Sequence, residues 1–334
     1  MKSLLHPVFV YGSLLRGLHN HGVIARSRLV CPVAATQKPF TLIDSTNGYP
    51  YATCLERSEE PAATPLCGEL YLVDDATMSA LDELEQHPTY YERSRVALTP
   101  ESWAGSEGAA GDGTAWMYLL VERTRLEELD RNRKVFATVE PLGDWRKHLV
   151  SQLFGRGCFA VFNYGSNGLK QLQERCKNRH LIACEATLID HLRCFAGASQ
   201  RWEGGGVASI IPAVGQTVQG SVTFLTEQEL CMLDRFELGA AACDAGADPF
   251  GTEGVYRRQR VRVMSGGDEI DALAYVKNDL TWQAPPGDAY LHACWTHMRQ
   301  FWQKSEIEIH NGVGEVACAP WRPDETRSRR SYKS

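Results

Sequence analysis

The chain has little with which to cross a membrane, grip nucleic acid or hold a metal. No apolar run in its 334 residues approaches the ~20 that a membrane-spanning helix needs, so no membrane partner is expected. The formal net charge is -6, and only the last residues are strongly basic, which argues against nucleic acid as a partner. None of the 11 cysteines forms a Cys-x-x-Cys pair. His19 and His21 stand two apart, not at the three- or four-residue spacing that puts two ligands on one helix face. No metal and no cofactor are therefore expected. An odd number of thiols, several within apolar periods (Cys54, Cys158, Cys231), points to free cysteines in a reducing, cytoplasmic compartment. The N-terminal stretch is broken by His6 and Pro7 and flows into a strand-like run, so it does not read as a signal peptide.

What the chain does have is a repeat. The hydrophobic fraction of 43% supports real cores, and the length suits two domains. VFVYGSLLRG runs from Val8 to Gly17, and a related CFAVFNYGSN from Cys158 to Asn167. Each is a short β-branched and aromatic run, the mark of a buried strand, halted at Tyr-Gly-Ser. Gly12 and Gly165 release the chain into a tight turn where backbone can approach a ligand. The hydroxyls of Ser13 and Ser166, with the amides around them, can cap a helix or hold an anion.

The same order of elements follows each turn. A helix is expected over Leu14–Ile24, weakened by Gly17 and Gly22, and over Leu169–Lys177. Strands are expected at Leu29–Val33, Phe40–Ile43 and Gly68–Val73 in the first half. In the second they fall at Cys184–Ile189, Leu192–Ala196, Val207–Ile211 and Gly220–Leu225. Asp74-Asp75 caps a helix over Ala76–Glu85, and Thr226 with Glu229 forms a capping box for a helix ending at Glu237. Later strands start at Tyr91, Ala115 and Ala272, the last preceded by Val255-Tyr256-Arg257-Arg258, and Arg123–Lys134 reads as a solvated helix. Tyr11 and Tyr164 lie about 153 residues apart, Glu85 and Glu237 about 152, so the register is kept over a domain-sized period. The expected boundaries are residues 1–154 and 155–322, with a disordered basic tail over 323–334.

The chemistry is expected where a glycine turn meets a carboxylate. Glu85 ends LDELE and Glu237 ends LDRFE. A helix C-terminus carries partial negative charge and disfavours a carboxylate. Each glutamate follows a leucine by four residues, which tilts it toward the core. Both effects raise its pKa toward that of a base working near neutrality.

These motifs resemble the γ-glutamylcyclotransferase family, including its avirulence-induced-gene-like members, once in each half. YGSLLRGLHNH (Tyr11–His21) and LDELE followed by Pro88 and Tyr91 are most similar to the γ-glutamylamine cyclotransferase branch. Tyr164–Asn167, Trp202–Ile210, Leu233–Glu237 and Ala284–Tyr290 are more similar to γ-glutamylcyclotransferase itself. The resemblance implies an α+β fold, in each half a small, mixed, twisted, barrel-like sheet flanked by helices with the site at its mouth. It implies a small γ-glutamyl substrate whose α-amine attacks its own γ-carbonyl, releasing 5-oxoproline and an amine or amino acid. Glu85 and Glu237 would be the general acid/base. Tyr11, Gly12, Ser13 and Leu14, and Tyr164, Gly165, Ser166 and Asn167, would cradle the substrate. Tyr91, Tyr256 and Tyr290 match pocket tyrosines, while Trp145 stands where the last tyrosine belongs in the first half. The alternative is a binding or regulatory module in which one or both pockets do no turnover. Leaving group and oligomeric state are left open.

Overall fold

The two Tyr-Gly-Ser stretches occupy matching places in the computed structural model, which divides into two units, Met1–Gly155 and Arg156–Ser334. It describes residues 5–54, 63–104, 112–121, 137–139, 143–239, 248–251, 254–281 and 284–302. The expected Arg123–Lys134 helix, parts of the loops Glu101–Gly113 and Gly239–Gly254, and the basic tail lie outside these residues.

In the first unit the apolar strand β1 (His6–Val10) is central. It runs antiparallel to β5 (Cys67–Val73), with Phe9 opposite Leu70, and parallel to β7 (Thr114–Leu120), with Val8 opposite Trp116. Strands β2 (Arg28–Ala35) and β6 (Tyr91–Ala97) complete the order β2-β5-β1-β7-β6. A bridge between Thr36 and Leu98, just beyond β2 and β6, links the two edges. A small second sheet joins β3 (Thr41–Asp44) to β4 (Pro50–Thr53) and β8 (Ala137–Thr138).

The second unit repeats this core. Strand β9 (Phe159–Asn163) is antiparallel to β11 (Val207–Leu225), with Phe162 opposite Val222, and parallel to β13 (Asp268–Lys277), with Val161 opposite Leu273. Here β10 (Ala183–Ala196) pairs directly with β12 (Tyr256–Ser265), closing the barrel β10-β11-β9-β13-β12. One glycine makes the same packing possible in both units. A Cβ on Gly68 would stand 2.1 Å from the Val10 carbonyl oxygen, and one on Gly220 2.3 Å from that of Asn163. Each would also press on the ring of Phe9 or Phe162, so only glycine lets the central strand approach this closely.

Helix α1 (Asp75–Leu84) buries Met78 and Leu81 and starts at Asp74, whose carboxylate accepts the Thr77 amide at 2.8 Å. It ends at Glu85, and Gln86 follows in the left-handed region at φ 51°. Beyond it, α2 (Trp145–Gly155) closes the first unit and α3 (Leu169–Arg175) follows the second glycine turn. Then α4 (Glu227–Glu237) has the expected capping box of Thr226 and Glu229 and buries Leu230 and Leu233, and α5 (Asp288–Arg299) ends the described part.

Two local expectations are corrected. Leu14–Ile24 is a chain of turns with a short 3-10 helix at His21–Val23, because Gly17 sits at φ 80° and Arg16 is drawn to a buried carboxylate. The strands expected at Cys184–Ile189 and Leu192–Ala196 are one strand with a bulge at Asp190, and its partner runs unbroken from Val207 to Leu225. Asp190 takes φ 56°, and its side chain accepts the Gly215 amide at 2.8 Å. No helix among the described residues is long and apolar enough to cross a membrane, and the nine described cysteines are all free.

Candidate active site

Where β1 ends, the first unit holds a cavity of 440 Å³. Tyr11, Gly12, Ser13 and Leu14 form one wall, Glu85 comes from the end of α1, and Tyr91 from the start of β6. Tyr49, Pro50, Tyr90 and Tyr118 also line it. The turn is fixed by Leu15 N donating to Gly12 O at 3.0 Å and Asn20 N to Ser13 O at 3.1 Å. No hydrogen bond from the amides of Gly12, Ser13 or Leu14 occurs among the described residues, which leaves three donors side by side. Glu85 is half-buried and has no ion pair among the described residues. Burial pushes its carboxyl up to about 7, as expected for a carboxylate partly withdrawn from water with no cation beside it among the described residues. Leu81, one turn earlier, is fully buried and aims the end of α1 at the core. Tyr11 is buried and donates to Tyr118 O at 2.7 Å, and Tyr91 donates to Pro50 O at 3.3 Å.

The second unit holds a smaller cavity of 170 Å³, lined by Tyr164, Gly165, Ser166, Asn167, Glu237, Tyr256 and Tyr290. Tyr164 donates to the Tyr275 carbonyl, as Tyr11 does to that of Tyr118. The amides of Gly165, Ser166 and Asn167 likewise donate to no group among the described residues. Tyr290 accepts the Ala208 amide at 2.9 Å, and its hydroxyl would lie 2.9 Å from a Cβ on Gly165, so a side chain there would push the tyrosine aside. Glu237 differs sharply from Glu85. Its Oε1 is ion-paired with Arg175 Nη1 and accepts Asn167 Nδ2 at 3.1 Å. Arg175 also donates to Asn167 Oδ1 at 3.0 Å, so the same nitrogen serves both side chains. Trp145 is absent from the lining of the first cavity. It is buried and stacks on His148 with ring centroids 5.3 Å apart.

A glycine turn and a carboxylate meeting in each of two units match a known family twice. The family model for gamma-glutamyl cyclotransferase, AIG2-like, fits residues 8–147 and again 161–297. The chain belongs to that family, in two tandem copies. Among similar family proteins is one from Vibrio cholerae named "Putative gamma-glutamylcyclotransferase", 35% identical over 124 residues, which span 37% of this chain and 90% of that one. Gamma-glutamylaminecyclotransferase C of Danio rerio is 29% identical over 118 residues, 33% of this chain and 74% of its own. The solved structure of YkqA from Bacillus subtilis aligns with 94% of this chain and 99% of its own, at 19% identity and a TM-score of 0.36.

In both cyclotransferase-like copies a second charged cluster sits three residues before the glutamate. Asp82 accepts Arg93 at 2.8 Å and the Tyr118 hydroxyl at 2.6 Å. Asp234 accepts Arg258 and, at 2.7 Å, the Tyr275 hydroxyl. Each cluster ties the last turn of the helix to the two strands beside it, and so fixes the glutamate. The aspartates are visible in LDELE and LDRFE, but their partners lie at separations that carry no local signal. Replacing Asp82 by asparagine is expected to lower stability by about 2 kcal/mol, since the pair is only partly exposed and the tyrosine keeps a weaker acceptor. Urea unfolding at pH 7 measures this.

Proposed function

We propose that the chain is a cyclotransferase that releases 5-oxoproline from γ-glutamyl amino acids or γ-glutamyl amines, with Glu85 as the general acid/base of the first unit. The observation that carries this is a half-buried glutamate with its pKa near 7, in one cavity with three uncommitted main-chain amides. The substrate's α-ammonium gives a proton to the Glu85 carboxylate. The freed nitrogen attacks the γ-carbonyl carbon, closing a five-membered ring. The amides of Gly12–Leu14 hold the developing oxyanion and the substrate's carboxylate. Collapse breaks the bond to the departing nitrogen, which takes that proton back from Glu85; the regenerated carboxylate accepts the second proton of the ring nitrogen, leaving a neutral lactam, and passes it to the departing amine, which leaves as an ammonium. Ring closure is intramolecular, so the protein mainly holds the near-attack geometry. The nine free cysteines among the described residues fit a reducing, cytoplasmic setting.

In the second unit Glu237, Gly165–Asn167, Tyr256 and Tyr290 take the corresponding places. The engagement of Glu237 by Arg175 and Asn167 favours a second reading for that unit, a pocket that binds γ-glutamyl compounds with little or no turnover.

The test is 5-oxoproline release from a γ-glutamyl dipeptide and a γ-glutamyl amine, by the wild-type chain and the Glu85→Gln/Glu237→Gln double variant. Undiminished release by the double variant refutes the assignment. The pH profile adds a second check. The base works as the carboxylate, so kcat/KM in a Glu237→Gln background rises with pH through an apparent pKa near 7 and levels above it. A flat profile from pH 5.5 to 8 contradicts the role given to Glu85.

A further inference from the structure

The cavities of the two units differ in charge as well as in size. The second is lined by two guanidiniums, those of Arg175 and Arg201. Arg175 is committed to Glu237 and Asn167. Arg201 is exposed and makes no ion pair among the described residues. Its guanidinium lies over the Trp202 ring, 5.5 Å from the centroid, and Trp202 meets Tyr290 edge-on at 5.1 Å. Tyr290 in turn abuts Gly165. An aromatic stack thus carries a free cation from the glycine turn to the rim. A γ-glutamyl group seated on the turn amides would place its departing portion beside Arg201. The described lining of the first cavity contains no lysine or arginine, and Tyr49 and Tyr90 stand at its wall. A carboxylate brought there would lose water and gain no cation.

We propose that the two units divide γ-glutamyl compounds by the charge of the departing portion. The second selects a departing portion that carries a carboxylate, read by Arg201. The first takes a neutral one, for which its 440 Å³ leaves more room than the 170 Å³ of the other. Arg201 is a specificity residue here, since it touches the substrate away from the reacting atoms. This division rests on the proposed cyclotransferase reading for the nature of the ligand, though not on turnover in the second unit.

The experiment uses the full chain and a matched pair of compounds, γ-glutamyl-alanine and γ-glutamyl-alaninamide, which differ only in the charge of the departing end. In the Glu85→Gln chain, where the second unit acts alone, the acid is favoured over the amide by about tenfold in kcat/KM, the scale of a charge-assisted hydrogen bond. Adding Arg201→Gln brings that ratio to about one through KM, and Arg201→Lys leaves part of it. In the Glu237→Gln chain the amide is handled at least as well as the acid. Calorimetric titration of the wild-type chain supplies a readout that needs no turnover: Arg201→Gln weakens binding of the acid about tenfold. Equal handling of both compounds by the Glu85→Gln chain overturns the division, as does a preference that survives Arg201→Gln. If no variant and no wild-type chain releases 5-oxoproline, the cyclotransferase reading fails, and the calorimetric comparison still decides for or against Arg201.

Discussion

In a Glu237→Gln background, exchanging Glu85 for glutamine lowers 5-oxoproline release by about 10²–10⁴-fold, the usual contribution of a positioned general acid/base. Glutamine fills the same space and keeps the turn, the tyrosine wall and the cavity, so the loss reports proton transfer and not collapse. Folding should move the other way. Burial holds the Glu85 carboxyl near 7, above its unfolded value of roughly 4.3. A raised folded pKa means that the group favours folding below the unfolded value and that this advantage is lost as pH rises through 7. Glu85→Gln therefore raises the unfolding free energy relative to wild type at pH 8, by about 2 kcal/mol after allowing for partial exposure, seen as a higher Tm, and changes little at pH 4. Lost activity with gained alkaline stability is the signature of a carboxylate kept in an unfavourable place for its chemistry. The single Glu85→Gln variant then reports the second unit: whatever release remains belongs to Glu237.

The second large effect is expected at Glu69, which touches no substrate. Its side chain is fully buried and accepts Arg16 N at 3.0 Å, Arg16 Nε at 2.9 Å, Arg146 Nη2 at 2.9 Å and the Tyr71 hydroxyl at 2.8 Å. Burial alone would raise its pKa, but Arg146 and Arg16 outweigh that and hold it at about 2. The cluster binds the loop after Leu14 to β5 and α2, and Arg146 also donates to Arg16 O at 3.2 Å. Glu69→Gln removes the carboxylate charge that two guanidiniums share in a buried cluster, and is expected to cost about 3–5 kcal/mol. Chemical denaturation at pH 7 should show it in full. The sign with pH is fixed: a depressed folded pKa stabilises above the unfolded value and is lost as pH falls through 4 toward 2. The gap between variant and wild type should therefore narrow below pH 4. The second unit has a neutral pair at the corresponding place. Ser221, which follows Gly220 as Glu69 follows Gly68, pairs with His297 Nε2 at 2.7 Å. His297 Nδ1 donates to Gly165 O at 2.7 Å, and burial lowers this imidazole to about 4, so it stays neutral.

What the sequence made legible was local or repeated. A β-branched run halted by glycine, caps at Asp74 and Thr226, and a glutamate four residues after a buried leucine each depend on neighbours in the chain, and each occurs twice. The repeat also made the gathering of Tyr11–Leu14 with Glu85, and of Tyr164–Asn167 with Glu237, readable as a pattern. What stayed hidden depends on distant partners. Arg16 abandons a helix because Glu69 waits 53 residues away in a strand interior. Arg175 reaches Glu237 across 62 residues, and nothing in either helix marks the pair. Strand β11 continues through Pro212 and Gly215 because β10 runs beside it and absorbs the mismatch at Asp190. Nothing in the sequence marks Arg201, and only the ring stack onto Tyr290 ties it to the cavity.

The most direct measurement is of Glu85 itself: the carboxyl ¹³C shift of this one side chain followed from pH 4 to 9 in the full chain, assigned by its disappearance in Glu85→Gln. A midpoint near 7 is predicted. A midpoint in the ordinary carboxylate range, near 4.3, would leave the cavity without a base suited to neutral pH and would contradict the account.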